Sequence, residues 1–185
     1  GISKMTSEYY LHYYCQTHSL KYITLRYGNI YGPRQDPLGE AGVIAIFINK
    51  MLKGDIPVIN GDGEYVRDYV YVKDVTQACL LSIKNMLKLT GIKKKRKEDI
   101  IFNAYNIGTG LGISVNQLYS YLQNIIGFKK EAIYGPPRSG DLRKNVLDCH
   151  LANQILGWKS RFTIDEGLKE TVEWFKMRCV SGKEA

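Results

Sequence analysis

The sequence predicts an α/β fold, because segments typical of strands alternate with segments typical of helices along its 185 residues. Two observations carry this prediction. Short runs that alternate or are rich in β-branched residues, such as 21–27 and 66–72, are typical of strands. Longer segments with apolar residues at helical spacing, such as 165–177, are typical of helices. No repeat or low-complexity tract interrupts the alternation, so residues 1–185 are treated as one region.

The individual elements follow from these patterns. We predict helices over residues 4–17, 43–52, 73–88, 114–126, 148–156 and 165–177. Strands are predicted over residues 21–27, 56–59, 66–72, 101–107 and 132–134. Ser114 is expected to cap its helix, Gly157 to end one, and Asp74 to lie at a helix start as a cap. The glycine-containing stretches 28–34, 61–63 and 108–112 are expected to be turns.

Composition is that of a globular protein with a basic surface. Hydrophobic residues make up 44% of the chain and charged residues 24%, which excludes a disordered chain. The net charge of +8 favours anionic partners such as phosphorylated metabolites. Much of this charge lies in the run Lys93–Lys97, which we interpret as a solvated loop within a linker over residues 93–99. No nucleic-acid-binding module surrounds the run, so no nucleic-acid partner is predicted.

The remaining composition bears on compartment and metals. None of the four cysteines forms a C-x-x-C pair, and no His/Cys cluster has the spacing of metal ligands. We therefore expect free thiols in a reducing compartment and no metal site. The chain shows no signal-peptide pattern at its start and no apolar stretch of the about 18 residues that a membrane span needs. These features predict a cytoplasmic protein without a membrane partner.

Anion binding is the strongest chemical signal that the residues carry by themselves. Arg34, Arg67 and Arg138 lie in turn or strand-edge settings next to glycines. A planar guanidinium binds phosphate oxygens through two parallel hydrogen bonds. The three arginines together make a phosphate-binding site about as plausible as three ordinary surface arginines.

A second glycine-rich stretch does not support dinucleotide binding. Glycines 108, 110 and 112 lack the G-x-G-x-x-G spacing, so we interpret residues 108–112 as a turn before the helix that begins at Ser114.

Longer motifs resemble those of the extended short-chain dehydrogenase/reductase family, in particular its members similar to UDP-glucose 4-epimerase. The matching stretches span nearly the whole chain. They are GISK (1–4), LRYGNIYGPRQ (25–35), GVIAIFI (42–48), GDGEYVRDYVYVKDV (61–75), YNIGTG (105–110), PPRSGDLRKNVLD (136–148) and ANQILGWKSRFTIDEGLKETVEWF (152–175). The resemblance implies the C-terminal part of a Rossmann-like fold, made of its last elements and a small substrate-binding α/β region.

The resemblance also implies residue roles. Lys4 corresponds to the lysine of the family's Tyr-x-x-x-Lys pair, a catalytic residue that also binds the nicotinamide ribose of NAD. Tyr27 would lie beside the nicotinamide. The implied contacts to a nucleotide-sugar substrate come from Asn29, Val43, Arg67, Arg138 and Asp141. On composition alone, Lys4 would be an ordinary surface lysine of a helix.

This sequence departs from the family pattern at several positions. The tyrosine of the Tyr-x-x-x-Lys pair would precede Gly1, and the glycine-rich NAD loop is not among residues 1–185. We therefore expect the chain alone to be inactive and to require an N-terminal NAD-binding half. Asn60 and Asn145 occupy positions where some relatives carry aromatic side chains, which leaves base and sugar preference open.

The family resemblance leaves three interpretations. The chain is part of an NAD-dependent UDP-glucose 4-epimerase; part of a related dTDP-glucose 4,6-dehydratase or UDP-glucuronate decarboxylase; or a non-catalytic module that binds a nucleotide sugar. The resemblance further implies a homodimer through the first helix, whose face carries Tyr9, Tyr10, Tyr13 and Tyr14. Ordinary core packing is the alternative explanation for these tyrosines.

Overall fold

The computed structural model describes residues 1–38, 42–89 and 103–180. The helices are α1 (Ile2–His18), α2 (Val43–Leu52), α3 (Val72–Leu89), α4 (Val115–Ile126), α5 (His150–Leu156) and α6 (Ile164–Val180). The strands are β1 (Thr24–Tyr27), β2 (Asn29–Tyr31), β3 (Val58–Asn60), β4 (Val66–Tyr71), β5 (Ala104–Ile107), β6 (Gly112–Ser114), β7 (Ile133–Gly135) and β8 (Lys144–Asn145). Helices and strands alternate as predicted, so the α/β class is confirmed.

Every predicted helix and strand has a counterpart in the described residues, with shifts at the ends. Three short strands were missed. Residues 29–31 and 112 were predicted as turn, residues 113 and 144–145 were assigned no element, and Ser114 was predicted as a helix cap. These strands have two or three residues each, too few for alternation to be read, and they exist because partners on β4 satisfy their backbone. The basic run and linker, residues 93–99, lie outside the described residues.

The strands form three small sheets, and two of them meet at Gly28. One sheet is the parallel pair β1–β5, the second has the order β2–β4–β6 with β8 also on β4, and the third is the parallel pair β3–β7. Gly28 N–H still donates to Ile107 C=O of β5 at 2.9 Å, whereas Asn29, the next residue, already pairs with Tyr69 of β4. The chain therefore passes from one sheet to the next within a single residue.

A buried carboxylate, that of Asp68 in β4, lies at this junction. It accepts hydrogen bonds from Thr109 N (2.7 Å), Thr109 Oγ1 (2.7 Å), Gly110 N (3.0 Å) and Leu147 N (3.3 Å). A Cβ on Gly108 would lie 2.5 Å from Asp68 Oδ2, and one on Gly28 would lie 2.7 Å from Asp68 O. Both junction residues must therefore be glycine. The turn predicted at residues 108–112 is confirmed for 108–111, and its N–H groups bind Asp68 instead of a phosphate.

Strand β4 also separates two hydrophobic clusters. Its side chains alternate between faces, so Tyr69 and Tyr71 pack in the larger cluster with helices α2, α4 and α6, whereas Val70 packs in the smaller one. The smaller cluster contains Ile107 and the fully buried Trp158. One strand therefore contributes to both halves of the core.

Two of the three predicted helix ends are confirmed, and one is wrong. The Ser114 hydroxyl accepts from Gln117 N and the Gln117 side chain accepts from Ser114 N, a reciprocal cap at the start of α4. Gly157 ends α5 with a φ of 67°.

Asp74 does not act as the predicted cap. It lies in the first turn of α3, at the predicted helix start, but its carboxylate accepts from the backbone N–H groups of Arg161 (3.0 Å) and Phe162 (3.2 Å). Asp74 therefore anchors the loop before α6.

We expect Asp68→Asn to lower the free energy of unfolding by about 2 to 4 kcal/mol. The substitution keeps the shape of the side chain but turns one acceptor oxygen into an N–H₂ donor that faces backbone N–H groups. Urea unfolding followed by tryptophan fluorescence measures the change. Asp165→Asn is the matched control, because Asp165 forms only an exposed pair with Lys169 and should cost less than about 1 kcal/mol. Equal losses for the two variants would contradict the assignment.

Candidate functional site

Arg67 and Asp141, two of the predicted substrate-binding residues, are in direct contact. Strand β8 pairs with β4 so that Asn145 lies beside Arg67, and this pairing brings residue 141 alongside. The Arg67 guanidinium contacts the Asp141 carboxylate through Nη2. Its Nη1 donates to the carbonyls of Val66 (2.8 Å) and Leu142 (2.7 Å). These contacts hold the planar group in one orientation, which is the arrangement that bidentate binding of an anion requires.

Arg138 lies on the exposed segment between β7 and β8, three residues before Asp141. Its guanidinium faces the end of β3, where the side-chain oxygen of Asn60, with the amide oriented toward it, accepts from Nε at 3.1 Å and Nη2 at 3.3 Å. The two residues meet because Asn60 pairs with Gly135 in the parallel β3–β7 sheet. Asn60, which departs from the pattern of some relatives, thus has a partner within this chain.

The structure does not bring all three predicted arginines together. Arg34 lies in an exposed turn after β2, where its φ of 71° is unusual for a residue other than glycine. This position follows the Tyr31–Tyr71 end of the β2–β4 pairing, whereas Arg67 lies near the start of β4. The phosphate-binding interpretation therefore rests on Arg67 and Arg138.

Sequence reasoning missed a second ion pair at this site. Arg143 donates to both carboxylate oxygens of Asp62, at 2.7 and 2.8 Å, and its guanidinium lies 5.0 Å from the centre of the Tyr65 ring. The hydrogen bonds from Arg143 lower the pKa of Asp62 to about 2. Arg143 thereby holds the segment that contains Arg138 and Asp141 against the turn before β4. The sequence feature that could have pointed to Arg143 is its position two residues after the predicted substrate contact Asp141.

Asn29 and Val43 lie on the same side of the sheet as Arg67. Asn29 begins β2 and pairs with Tyr69, two residues beyond Arg67 on β4. Paired residues, and residues two apart on a strand, point to the same face. Val43 is the first residue of α2 and packs against the larger cluster on that face. Three predicted substrate-binding residues thus border one surface.

Tyr27 lies at the C-terminal end of β1, at the carboxyl edge of the parallel β1–β5 pair. Ligands of open α/β sheets bind at this edge. The Tyr27 hydroxyl lies 3.5 Å from Cys79 Sγ of α3, and burial around it, followed by this contact, raises the pKa of Tyr27 to about 12. The phenol, neutral at physiological pH even at its ordinary pKa of 10.0, is thus held further from ionisation, which suits a side chain that lines a ligand site more than one that takes up a proton.

Lys4 lies in the first turn of α1 with an exposed side chain. Helix α1 is joined to β1 by an ion pair between Glu8 and Arg26, the residue before Tyr27. Lys4 and Tyr27 are therefore carried by two elements that are in contact.

The four tyrosines of α1 are on the surface in this structure. Tyr9, Tyr10, Tyr13 and Tyr14 are 46–63% exposed. Their predicted alternative role as ordinary core residues is therefore wrong for the chain as described. Their role in a homodimer stays a prediction.

Two further features of the described residues bear on function. No helix within 1–38, 42–89 and 103–180 is both long and apolar enough to cross a membrane. Over the same ranges, no group of three or more His, Cys, Asp or Glu side chains is placed to hold a metal ion. Cys15, Cys79, Cys149 and Cys179 are all free thiols.

Comparison with known proteins gives consistent similarities. The profile of the NAD dependent epimerase/dehydratase family matches residues 1–108. A UDP-glucose 4-epimerase of Mycolicibacterium smegmatis is 37% identical over 173 residues, covering 94% of this chain and 51% of that protein. The crystal structure of a Thermotoga maritima UDP-glucose 4-epimerase with UDP-glucose superposes with a TM-score of 0.84 at 49% identity, covering 97% of this chain and 53% of that one.

A Thermus thermophilus UDP-glucose 4-epimerase in complex with NAD superposes with a TM-score of 0.77 at 38% identity, covering 95% of this chain and 53% of that one. The chain thus spans about half the length of the relatives it matches. Its α/β architecture is that of the Rossmann-like structures to which it is similar.

We expect the Asp62 carboxyl to titrate at a pKa of about 2 and Arg143→Gln to return that pKa toward its ordinary value of 3.8. The reason is the loss of two charge-assisted hydrogen bonds to the carboxylate. Carboxyl-detected NMR measures the pKa directly. Lys144→Gln is the control, since it removes the neighbouring positive charge without touching the pair. An Asp62 pKa that moves as far in Lys144→Gln as in Arg143→Gln would show that the bidentate contact is not the cause.

Proposed function

Because this chain belongs to the NAD-dependent epimerase/dehydratase family, we propose that it is the nucleotide-sugar-binding part of a UDP-glucose 4-epimerase, which interconverts UDP-glucose and UDP-galactose. The observation that carries the proposal is the Arg67–Asp141 contact, in which a fixed guanidinium and a carboxylate lie next to each other. An arginine at this place binds a diphosphate, and the carboxylate accepts hydrogen bonds from ribose hydroxyls. The similarity to epimerases that include one with bound UDP-glucose supports this assignment.

The substrate's diphosphate would be held by Arg67 and Arg138, with Asn29 contributing from the start of β2. Val43 would offer backbone contacts to the nucleotide, and Asp141 would bind its ribose. These residues come from β2, β4, α2 and the segment before β8. The nucleotide site is therefore assembled only when the tertiary fold brings these elements together. Holding the substrate by its diphosphate leaves the sugar free to turn over and present either face.

NAD is the proposed cofactor, and the residues at the carboxyl edge of β1–β5 fit it. Tyr27, neutral at physiological pH, would lie beside the nicotinamide, and Lys4 would donate to the nicotinamide ribose. When bound, NAD would supply a reversible hydride acceptor for C4 of the sugar. The positive charge of Lys4 would lower the pKa of the tyrosine in the family's Tyr-x-x-x-Lys pair, which then takes the 4-hydroxyl proton. That tyrosine is not among residues 1–185.

Residues 1–185 would accordingly form the C-terminal part of the enzyme and act together with an NAD-binding half. The two-stranded β1–β5 sheet supports this arrangement, because parallel sheets in α/β proteins normally have more strands and covered faces. A homodimer through the exposed tyrosines of α1 is part of the same proposal.

We expect this chain to bind UDP in a saturable manner and Arg67→Ala to weaken that binding by about 10- to 100-fold. The substitution removes charge-assisted hydrogen bonds to the diphosphate. Calorimetric titration with UDP, with dTDP as the comparison nucleotide, measures the effect. Arg161→Ala is the matched control, because it deletes an exposed arginine whose backbone, and not its side chain, holds Asp74. Equal weakening of UDP binding by both substitutions would argue against a diphosphate contact at Arg67.

We expect turnover of UDP-glucose to UDP-galactose when the chain is combined with an NAD-binding half, and none when the chain is alone. That half would bind NAD, the hydride acceptor, and would supply the tyrosine base. Product analysis by NMR distinguishes the reactions. A 4-keto-6-deoxy sugar from dTDP-glucose, or loss of CO₂ from UDP-glucuronate, would replace the epimerase assignment. Binding without turnover in any combination would leave a non-catalytic nucleotide-sugar module.

A further inference from the structure

Helix α1 is attached to the rest of the described fold in an unusual way. Among its residues, Glu8 is the buried one, at 7% exposure, although it carries a charge. Large side chains elsewhere on the helix, including Ile2 and Tyr10, are exposed. A helix normally packs on a sheet through an apolar stripe. Here Leu11 and Cys15, on the same face as Glu8, are only half-buried, and the most buried position of the helix is a carboxylate.

Arg26 of β1 meets this carboxylate with both arms of its guanidinium. Nε donates to Glu8 Oε1 at 2.8 Å, and Nη2 contacts Glu8 Oε2. The hydrogen bonds from Arg26 hold the pKa of Glu8 below its ordinary value of 4.5, so the pair is charged at neutral pH. A bidentate arginine–carboxylate contact fixes both the distance and the relative orientation of its two elements.

The residues next to this pair are the two proposed cofactor contacts. Lys4 lies four residues before Glu8, one helical turn away on the same face of α1. Tyr27 directly follows Arg26 at the end of β1. The short connection over residues 19–23 turns the chain back from α1 to β1, so moving from Glu8 toward Lys4 goes in the same direction as moving from Arg26 toward Tyr27. Lys4 and Tyr27 therefore lie toward the same end of the two elements, with the Tyr27 side chain on the face of β1 opposite to Arg26, against Cys79 of α3.

We propose that Glu8 and Arg26 are positioning residues: their ion pair sets the register of α1 on β1 and thereby places the Lys4 ammonium relative to Tyr27 at the cofactor end of the site. This inference rests on the proposed function for the role of Lys4, but the register itself is a property of this chain. The Arg26 side chain is half exposed, and an ion pair that water reaches contributes little to stability compared with apolar packing, while its bidentate geometry is specific. The Glu8–Arg26 pair would use this specific geometry to hold Lys4 in place.

The experiment compares Glu8→Gln with Glu173→Gln, an equal loss of charge at an exposed position on another helix. The first readout is amide hydrogen exchange of the 185-residue chain, which requires neither cofactor nor turnover. We expect Glu8→Gln to accelerate exchange in α1 by at least about tenfold and to leave exchange in α2, α4 and α6 unchanged. The reason is that Arg26 of β1 loses the carboxylate through which it binds α1. Unchanged exchange in α1, or acceleration throughout the chain, would overturn the proposal.

The second readout is the steady-state kinetics of the chain combined with its NAD-binding half. We expect Glu8→Gln to lower kcat by roughly 10- to 100-fold with little change in KM for UDP-glucose, because displacement of Lys4 affects the reacting end and not the diphosphate clamp. The alkaline shift of the kcat–pH profile is the specific signature, since a displaced lysine no longer lowers the pKa of the tyrosine base. Arg26→Lys, which keeps the charge but loses the bidentate geometry, should show a smaller shift in the same direction.

The two readouts separate this inference from the proposed function. If the unsubstituted protein turns over no nucleotide sugar, the proposed function fails, and hydrogen exchange still decides whether the ion pair sets the register of α1. If turnover is present and Glu8→Gln raises KM alone without shifting the pH profile, the positioning role is wrong and the epimerase assignment stands.

Discussion

The hydrogen bonds to the Asp68 carboxylate are the interaction on which the other parts of this structure depend. They connect the middle of β4 to the turn after β5 and to the segment after β8. The two glycines at the sheet junction make this possible, since a side chain at either would collide with Asp68. Without this buried acceptor, three backbone N–H groups would lack a partner in the fold, and each such loss is costly. The carboxylate thus joins the two sheets that carry the proposed cofactor and substrate residues.

Strand β4 is the physical link between these two regions. At its start lies Arg67, a proposed diphosphate contact, which pairs with strand β8 and donates to the Leu142 carbonyl. In its middle, Asp68 binds the turn that follows β5, whose partner β1 ends in Tyr27. A displacement of β4 would therefore change the distance between the diphosphate clamp and the carboxyl edge of β1–β5. A reaction in which a sugar must reach a cofactor while its diphosphate stays bound requires this distance to be fixed.

Charged groups, more than apolar ones, fix the surface elements of the site. The Asp62–Arg143 pair, the Arg67–Asp141 contact and the Glu8–Arg26 pair each join a peripheral segment to a strand or to the turn before one. Each pair has at least one partner that is open to water, and ion pairs that water reaches add little to stability. Their directional geometry nonetheless specifies how a segment with few buried side chains lies on the core. The two hydrophobic clusters stabilise the fold, and these ion pairs set how the peripheral segments are oriented at the site.

The sequence by itself determined the α/β class, the helices and the longer strands, because hydrophobic periodicity and end signals such as Ser114 and Gly157 are local properties. The long motifs likewise determined the family and its candidate residues. Only the tertiary structure decided the short strands β2, β6 and β8, since backbone partners distant in the sequence create them. It also gave Asp74 a loop anchor in place of a cap and exposed the tyrosines of α1. Asp68 and Glu8 carry no local signal of their importance, and Arg143 carries only its closeness to Asp141 in the sequence, because a carboxylate or guanidinium gains its role from the donors or acceptors that the fold brings to it.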